Sequence, residues 1–349
     1  MDEAVQEGAL HVARELERRV RERVAREGLE FRTFCLGLHF EDEALARSGW
    51  LESYRATIKK LAGTALAQGW PGRDVDLERP DATFVYDPRS ERLEVRVRPI
   101  YLYGRYRKLA RGLPQTRWHC RSCGGEGCKK CGGKGRAREG SVEERIGDPV
   151  ARAHRAWGEP LLHGMGREDA DVCMLGSGRP FVLEVVSPRR RAVDLSAVVP
   201  EEGVALAGPL REVDQALVAR LKSLDPAKRY RALCRTESPP SPERVSLLTA
   251  SLLGEIQQRT PRRVKSRADL VRPRRLLALS ARSLGPCELE LDLTTESGTY
   301  VKELVSGDEG RTQPSVSSML GVAAQVVALD VLEILVEDSE IVGSLGNTH

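Results

Sequence analysis

The sequence predicts an α+β protein, and three patterns support this class. Residues 4–27 and 51–69 repeat apolar side chains at the three- and four-residue spacing of amphipathic helices. Residues 82–86 and 93–98 alternate apolar and polar side chains around the turn at 87–91, which indicates a hairpin. The rest of the chain mixes helices and strands, which favours α+β over a doubly wound parallel sheet. The predicted strands there are 180–186 and 287–295, and the predicted helices are 210–223 and 243–256.

The chain has 349 residues, which is more than one hydrophobic core usually covers. We therefore predict an α+β domain over 1–118, a four-cysteine knuckle over 119–140 and a larger domain over 141–340. Hydrophobic residues make up 40% and charged residues 30%, as expected for a globular protein rather than a disordered one. The sequence shows neither a signal-peptide pattern nor an uninterrupted membrane-spanning run. We expect a cytoplasmic location and no membrane contact.

Four of the eight cysteines lie within twelve residues, in the pattern C-x2-C-x4-C-x2-C. They are Cys120, Cys123, Cys128 and Cys131. Four thiolates suit a tetrahedral Zn²⁺ ion, with an iron–sulfur cluster or a metal-free loop as alternatives. Because all four ligands are cysteines, no position is open for catalysis. The predicted zinc is structural, and no cofactor is expected for catalysis.

The net charge is only +4, but basic residues are clustered. Arginine predominates in these clusters, which suits phosphate recognition. A solvated charged surface is the alternative for any single cluster. The clusters lie at 104–111, 117–138, 189–191 and 259–275. Four of them together favour a nucleic acid as partner.

Residues 163–181 form a glycine-rich segment that runs into an apolar strand. It contains Arg167, Glu168, Asp169 and Asp171, which suggests a site for polar chemistry, although an Asp in a polar turn or helix cap is the alternative. Two distant segments strengthen the case for a site. Tyr230 lies among basic residues, and Lys302 follows the strand at 287–295, where a buried lysine would need a carboxylate partner.

Several longer motifs occur between residues 100 and 336. They include Gly104-Arg-Tyr-Arg-Lys, Gly166-Arg-Glu-Asp-Ala-Asp, Leu175-Gly-Ser-Gly-Arg-Pro-Phe, Gln258-Arg-Thr-Pro-Arg-Arg-Val, Gly298-Thr-Tyr-Val-Lys-Glu and Gly310-Arg-Thr-Gln-Pro. In these motifs and their order the chain resembles the tRNA pseudouridine synthases shared by archaea and eukaryotes, which carry a THUMP-type RNA-binding domain. The resemblance implies a catalytic domain with a central mixed, largely antiparallel sheet flanked by helices. A small α+β THUMP-like domain with the zinc knuckle would precede it.

The resemblance also implies roles for individual residues. The last residue of Gly-Arg-x-Asp, here Asp169, would be catalytic, and Lys302 would pair with it. Tyr230 would stack on the uracil, and Met319, with Leu320 as the alternative, would line the base pocket, where relatives commonly have leucine. The same motifs imply substrate binding for Tyr300 and Arg167, and RNA binding for Arg262, Arg263 and Arg267.

Pseudouridine formation breaks the N1–C1′ bond of uridine, turns the uracil and joins C5 to C1′. Cleavage of a glycosidic bond needs a nearby carboxylate but no redox cofactor. Asp169 would either attack C1′ or take the C2′ proton, and both remain open. The implied targets are uridines 54 and 55 of the tRNA T-loop, either one or both, flipped out of the stack. The expected partner is tRNA, bound by shape and phosphate to a monomer.

Two other functions are compatible with parts of the sequence. A non-catalytic, zinc-dependent RNA-binding protein would keep the cysteines and arginines but would have no use for Asp169, Tyr230 and Lys302. An RNA-modifying enzyme of another class, such as a methyltransferase, would need a nucleotide-cofactor loop, which the sequence lacks. Archaeal relatives also carry C-x2-C-Leu-Gly near the N-terminus. This chain has only Cys35 there, which argues against a second metal site.

Overall fold

The computed structural model describes residues 3–39, 50–138, 140–264 and 268–343. They form two compact units, each made of separate stretches of the chain. The first unit comprises the described residues up to Ile100, together with 148–161 and 184–198. The second comprises 101–147, 162–183 and the described residues from Val199 onward. The domain boundaries at 118 and 140 stay a prediction, because a compact unit need not coincide with a domain that folds alone.

The first unit is built on a four-stranded sheet and two long helices. In chain order these are α1 (Glu3–Glu27), β1 (Thr33–Leu38), α2 (Trp50–Gly69), β2 (Asp74–Val75), β3 (Ala82–Asp87) and β4 (Arg92–Val97). The strand order is β2–β1–β3–β4, with β1 parallel to both of its neighbours and β3 antiparallel to β4. The two helices and the hairpin predicted from the sequence are confirmed.

The core of this unit lies where the apolar faces of α1 and α2 meet the sheet. Leu16 and Ile58 from the helices and Phe34 and Phe84 from the strands are fully buried. The ring of Phe31 packs edge-on against Phe34 and Phe84, with ring centroids 6.2 and 5.7 Å apart. The alternation read from the sequence therefore reflects one buried face on each element.

The basic cluster at 189–191 takes part in contacts within this first unit. Arg191 lies 3.5 Å from the buried carboxylate of Asp81, and Arg190 lies 3.5 Å from Glu30. Burial opposes ionisation of Asp81. The backbone hydrogen bond from Arg32 and the charge of Arg191 outweigh it and lower the pKa of Asp81. These arginines therefore help to hold the unit together, which the interpretation as a binding surface did not foresee.

The remaining elements include an eleven-stranded sheet. Its strands are β5 (Ile100–Lys108), β6 (Leu161–Gly164), β7 (Cys173–Val185), β8 (Val204–Leu206), β9 (Arg211–Val213), β10 (Lys228–Thr236), β11 (Gly254–Arg259), β12 (Val271–Gly285), β13 (Glu288–Thr295), β14 (Thr312–Gln313) and β15 (Ala324–Ile334). The helices are α3 (Val142–Ala153), α4 (Ala216–Ser223), α5 (Pro242–Leu252), α6 (Val301–Ser306), α7 (Val316–Leu320) and α8 (Asp338–Val342). None of the helices in the described ranges is long and apolar enough to cross a membrane.

The strand order in the large sheet is β14–β11–β12–β13–β10–β15–β7–β5–β8, with β6 beside β7 and β9 beside β5. Strands β10 to β13 pair antiparallel, whereas β15 and β7 are parallel at Asp330 and Cys173. The predicted central mixed, largely antiparallel sheet is confirmed. The connections between β6 and β7, after β11 and after β13 carry the site residues predicted from the sequence, among them Asp169, Arg263 and Lys302.

Two predicted helices are wrong in part. The helix predicted over 210–223 is only α4, because residues 211–213 form β9 and pair with Tyr101–Tyr103 of β5. The helix predicted over 243–256 ends at Leu252, where Gly254 has a φ of +108° and opens β11. In both cases strand pairing with distant residues outweighs the local apolar period.

Gly176 in β7 lies where two strands approach closely. Its φ is +54°, and a Cβ atom there would lie only 1.9 Å from the carbonyl oxygen of Leu332 in β15. Only glycine combines this backbone conformation with so close a neighbour.

We expect Gly176→Ala to destabilise the fold by about 1–3 kcal/mol or more, because both the left-handed backbone and the clash are unfavourable. Thermal unfolding followed by circular dichroism measures the change. Gly285→Ala is the control, since its Cβ would meet nothing nearer than Glu288 Cβ at 4.0 Å. Equal unfolding temperatures for the two variants would contradict this account.

Candidate active site

The loop between β6 and β7 carries Asp169, and a buried lysine holds its backbone. Lys108 of β5 is completely buried, and its Nζ donates to the carbonyl oxygens of Leu113 at 2.8 Å, Asp169 at 3.0 Å and Ala170 at 3.1 Å. Burial lowers the pKa of Lys108, while the charge of Glu168 opposes that shift. The sequence had placed Lys108 in a basic RNA-binding cluster. The structure places it beneath the loop instead.

A buried ion pair anchors the residue next to Asp169. Glu168 Oε2 lies 2.7 Å from Arg179 Nε, and both side chains are 1% exposed. Tyr106 donates its hydroxyl to Glu168 at 3.0 Å, and Arg179 Nη1 donates to the carbonyl of Met165 at 2.6 Å. Burial opposes the charge on Arg179, but Glu168 outweighs it and raises the pKa of Arg179. Burial, aided by the charge of Glu168, raises the pKa of Tyr106 well above its usual value.

Two cations meet at the carboxylate of Asp169, whose side chain is 43% exposed. Arg263 Nη1 lies 3.0 Å from Asp169 Oδ2, and Lys302 Nζ lies 3.3 Å from the same oxygen. Lys302 also donates to both oxygens of Asp171, at 2.7 and 2.9 Å. Burial opposes ionisation of Asp171, but the hydrogen bond and charge of Lys302 outweigh it and lower the pKa of Asp171. Lys302 therefore bridges the two carboxylates, and Arg263 contacts only that of Asp169.

Glu303, next to Lys302 on α6, completes this cluster. Its side chain is 7% exposed and receives the guanidinium of Arg263, from Nε at 2.7 Å and from Nη2 at 3.4 Å. Burial disfavours the charged form of Arg263. The hydrogen bond that Arg263 donates to Glu303, together with the negative charge of Glu303, outweighs burial and raises the pKa of Arg263. Arg263 therefore contacts two carboxylates, although the sequence had assigned it to RNA binding.

Tyr230 lies in the central strand β10, opposite Leu293 of β13 and Val331 of β15. Burial raises its pKa to about 12, and the charge of Arg179 opposes this. Burial, together with the charge of Arg179, lowers the pKa of Lys228 to about 8. Lys228 Nζ donates to Ser297 Oγ at 3.0 Å. Arg179 thus acts electrostatically on β10 as well as on the Asp169 loop.

The other substrate-binding candidates lie on nearby elements of the same unit. Tyr300, at the start of α6, has its backbone N–H and C=O bonded by the side chain of Gln258, at 2.8 and 2.9 Å. On α7, Leu320 is 1% exposed and Met319 is half-buried. Arg167 is exposed in the Asp169 loop and makes none of the contacts described above.

Of the RNA-binding candidates, the structure describes only two. Arg263 belongs to the Asp169 cluster, whereas Arg262 points away from it and pairs with the exposed Glu309 at 2.5 Å. Arg267 lies outside the described residues.

Asp169, Lys302 and Arg263 thus come together from three separate segments. Three side chains that support them were not identified from the sequence: Lys108, Arg179 and Glu303. Glu168 was noted in the sequence as one of the charged residues of this segment, without a specific role. Glu303 carried a usable signal, since it directly follows Lys302 in a short apolar segment where an unpaired carboxylate would be costly.

The four cysteines form a separate centre with the dimensions of a zinc site. Four sulfurs at about 2.3 Å from one zinc ion lie about 3.8 Å apart when the site is tetrahedral. Here the Sγ atoms of Cys120 and Cys128 are 3.9 Å apart, those of Cys123 and Cys131 3.9 Å, and those of Cys128 and Cys131 3.7 Å. All four sulfurs lie within 4.8 Å of one another.

The backbone around these sulfurs donates hydrogen bonds to two of them. The N–H groups of Gly127 and Gly135 donate to the sulfurs of Cys123 and Cys131, each at 3.2 Å. Gly127 has a φ of +96°, and a Cβ atom there would lie 2.6 Å from the carbonyl oxygen of Gly133. The glycines therefore allow the tight turns that converge the sulfurs, and the donor set fits zinc.

Comparison with known proteins shows which family the sequence is similar to. Residues 101–335 match the family model described as Pus10, C-terminal. Among curated relatives named tRNA pseudouridine synthase Pus10, the protein of Methanothrix thermoacetophila is 40% identical over 86% of this chain and 69% of its own length. That of Archaeoglobus fulgidus is 40% identical over 87% of each chain. That of Pyrococcus furiosus is 37% identical over 89% of this chain and 79% of its own.

Solved structures are more distant. A chain of a Cbf5–Nop10–Gar1 complex covers 54% of this chain and 49% of its own length, with 17% identity and a TM-score of 0.34, too remote to support a conclusion. The family match and the curated relatives suffice without it. By the match over residues 101–335 and the 40% identity over most of its length, the chain belongs to the Pus10 family of tRNA pseudouridine synthases.

Proposed function

We propose that this protein isomerises uridine to pseudouridine in tRNA and that Asp169 is the catalytic carboxylate. One observation carries the proposal: an accessible carboxylate held by two cations, Lys302 at 3.3 Å and Arg263 at 3.0 Å, on a loop anchored by buried charges. Either route of glycosidic cleavage needs a carboxylate held close to the sugar, and these contacts fix the position of Asp169. The relatives' name, tRNA pseudouridine synthase, agrees with this activity.

The reaction needs no external group. The N1–C1′ bond breaks with Asp169 attacking C1′ or removing the C2′ proton, and the uracil turns. C5 then bonds to C1′, as the bond from Asp169 to C1′ breaks on the first route or as the proton returns to C2′ on the second. The proton on C5 is then lost, and N1 gains one, so that the overall change is an isomerisation. Tyr230 is suited to stack on the uracil, because a pKa of about 12 keeps its phenol neutral at physiological pH.

The exposure of individual side chains indicates which of them would line the base pocket and which would contact the RNA. Met319 is favoured over Leu320 as the pocket wall, because Met319 retains accessible surface and Leu320 is buried. The target uridine would leave its stack to reach Asp169, with uridines 54 and 55 of the T-loop as the proposed targets. The side chain of Arg262 is exposed and is therefore suited to bind a phosphate group of the tRNA. We further propose that the protein acts as a monomer in the cytoplasm, where its tRNA substrate is found.

We expect Asp169→Asn to reduce pseudouridine formation at least about a thousandfold, because the amide can neither attack C1′ nor accept a proton. Unmodified tRNA transcript is incubated with each variant, and pseudouridine positions are mapped, which also shows whether one or both uridines react. Binding of tRNA, measured separately, should remain.

Asp292→Asn is the matched control for this change. Asp292 pairs with Arg231 at 3.2 Å on the β10–β13 pair and contacts none of the site residues described above. Its activity should equal that of the unaltered protein. Full activity in Asp169→Asn would reject the assignment of the carboxylate.

We also propose that the four cysteines hold a structural Zn²⁺ ion. Sulfur separations of 3.7–3.9 Å support zinc, and four thiolate ligands complete its usual coordination. The ion would fix residues 120–135, which are too few to form a core of their own.

We expect freshly purified protein to contain about one zinc ion per chain by elemental analysis. Cys123→Ser should lose the metal and lower the unfolding temperature, whereas Cys287→Ser, a cysteine outside the cluster, should keep it. Metal-free protein would reject the site, and iron in place of zinc would favour the iron–sulfur alternative.

A further inference from the structure

We propose that Arg263 is a positioning residue for Asp169, set in place by Glu303, and not a contact for tRNA phosphate. This inference rests on the proposed role of Asp169. Arg263 lies in a basic stretch that would ordinarily be read as part of an RNA surface, yet each contact described for its guanidinium goes to a carboxylate of the site.

The geometry of the guanidinium supports a fixed role. Its Nε and Nη2 donate to the two oxygens of Glu303, at 2.7 and 3.4 Å, while Nη1 donates to Asp169 Oδ2 at 3.0 Å. One planar group therefore joins two carboxylates. A fork of this kind fixes orientation as well as charge, which a lysine ammonium does not do.

Glu303 is the fixed end of this arrangement. Its side chain is almost completely buried on α6, so that its charge requires a partner, and Arg263 provides one. Removal of Arg263 would leave the buried charge of Glu303 without this partner, whereas Arg263 without Glu303 would keep its contact with Asp169. The pair therefore holds Arg263 beside Asp169 whether or not tRNA is bound.

The backbone around Arg263 is also restrained. The connection from β11 to β12 is closed by Thr260, whose Oγ1 donates to the carbonyl of Ala268 at 2.7 Å. Arg311 Nη2 donates to the carbonyl of Thr260 at 2.6 Å, which fastens the same point to the chain that follows α6. The chain is therefore held at Thr260, three residues before Arg263, whereas an arginine that binds a polyanion commonly lies on an unrestrained segment.

Lys302 alone does not neutralise Asp169. Its two shortest contacts, 2.7 and 2.9 Å, go to Asp171, and its contact with Asp169 is longer, at 3.3 Å. The nearer cation to Asp169 is Arg263, at 3.0 Å. In a cluster of three carboxylates and two cations, loss of Arg263 would leave Asp169 to compete with Asp171 for a single lysine.

The test compares Arg263→Gln with the unaltered protein in single-turnover and steady-state assays on tRNA transcript. We expect the rate at saturating tRNA to fall about a hundredfold, as a misplaced reacting group does, while KM and the dissociation constant for tRNA stay within about twofold.

A phosphate contact would give the opposite pattern. The dissociation constant for tRNA would rise, its dependence on salt would weaken by about one counterion, and the rate at saturation would stay unchanged. That pattern would overturn the inference. Arg282→Gln is the matched control, since Arg282 is an exposed arginine paired with Glu290 at 2.7 Å outside the cluster, and should change none of these readouts.

Three further variants separate positioning from a loss of fold. Arg263→Lys keeps the charge but not the fork, so we expect it to restore only part of the rate. Glu303→Gln should lower the rate with unchanged tRNA binding, and the double variant Glu303→Gln/Arg263→Gln should be little slower than Arg263→Gln alone. Fully additive losses would reject the coupling between the two residues.

Asp169→Asn, measured beside these variants, distinguishes a failure of the catalytic role proposed for Asp169 from a failure of the positioning role proposed for Arg263. If it stays active, the proposed catalytic role fails, and the inference on Arg263 fails with it. If it is inactive while Arg263→Gln behaves as a phosphate-contact variant, only the inference on Arg263 fails.

Discussion

The ion pair between Glu168 and Arg179 is the interaction on which the arrangement of the site depends. The two charges are each 1% exposed, and hydrogen bonds from Tyr106 to Glu168 and from Arg179 to the carbonyl of Met165 help to stabilise them there. The pair fixes the loop one residue before Asp169, and Lys108 fixes its backbone at Asp169 itself. The charge of Arg179 also acts on the pKa of Tyr230. Side chains of strands β5 and β10 therefore both interact electrostatically with this one guanidinium of β7.

The fold class and the chemically distinctive motifs could be predicted from the sequence. The helical period of α1 and α2 and the β3–β4 alternation are local patterns, and the cysteine spacing specifies a compact sulfur cluster without knowledge of the fold. Asp169, Tyr230 and Lys302 were identified through motif resemblance. The contact between Asp169 and Lys302 could not be derived from composition or spacing, because the two residues lie 133 positions apart in the chain.

The supporting side chains show why the rest could not be predicted. Lys108 and Tyr106 lie in a run of basic residues, and such a run usually faces solvent. Tyr106 and Lys108 are buried here, while Arg107 between them is exposed, because β5 lies inside the large sheet between β7 and β8. The contacts of Arg263 could not be predicted for the same reason, since the carboxylate that holds it, Glu303, is forty residues away. Pairings between distant charges are properties of tertiary structure, and no local pattern announces them.

Both cations at the site contact the same oxygen of Asp169, Oδ2. Within the described part of the chain, no donor lies within hydrogen-bond distance of Oδ1, so the two oxygens are inequivalent. If Oδ1 bonds to the sugar or takes up a proton, the carboxyl group becomes neutral, and Lys302 and Arg263 lose an anion they had balanced. On the proposed role of Asp169, a covalent bond from Oδ1 to the sugar would therefore weaken both ion pairs at Oδ2, and their recovery would favour release of the carboxylate.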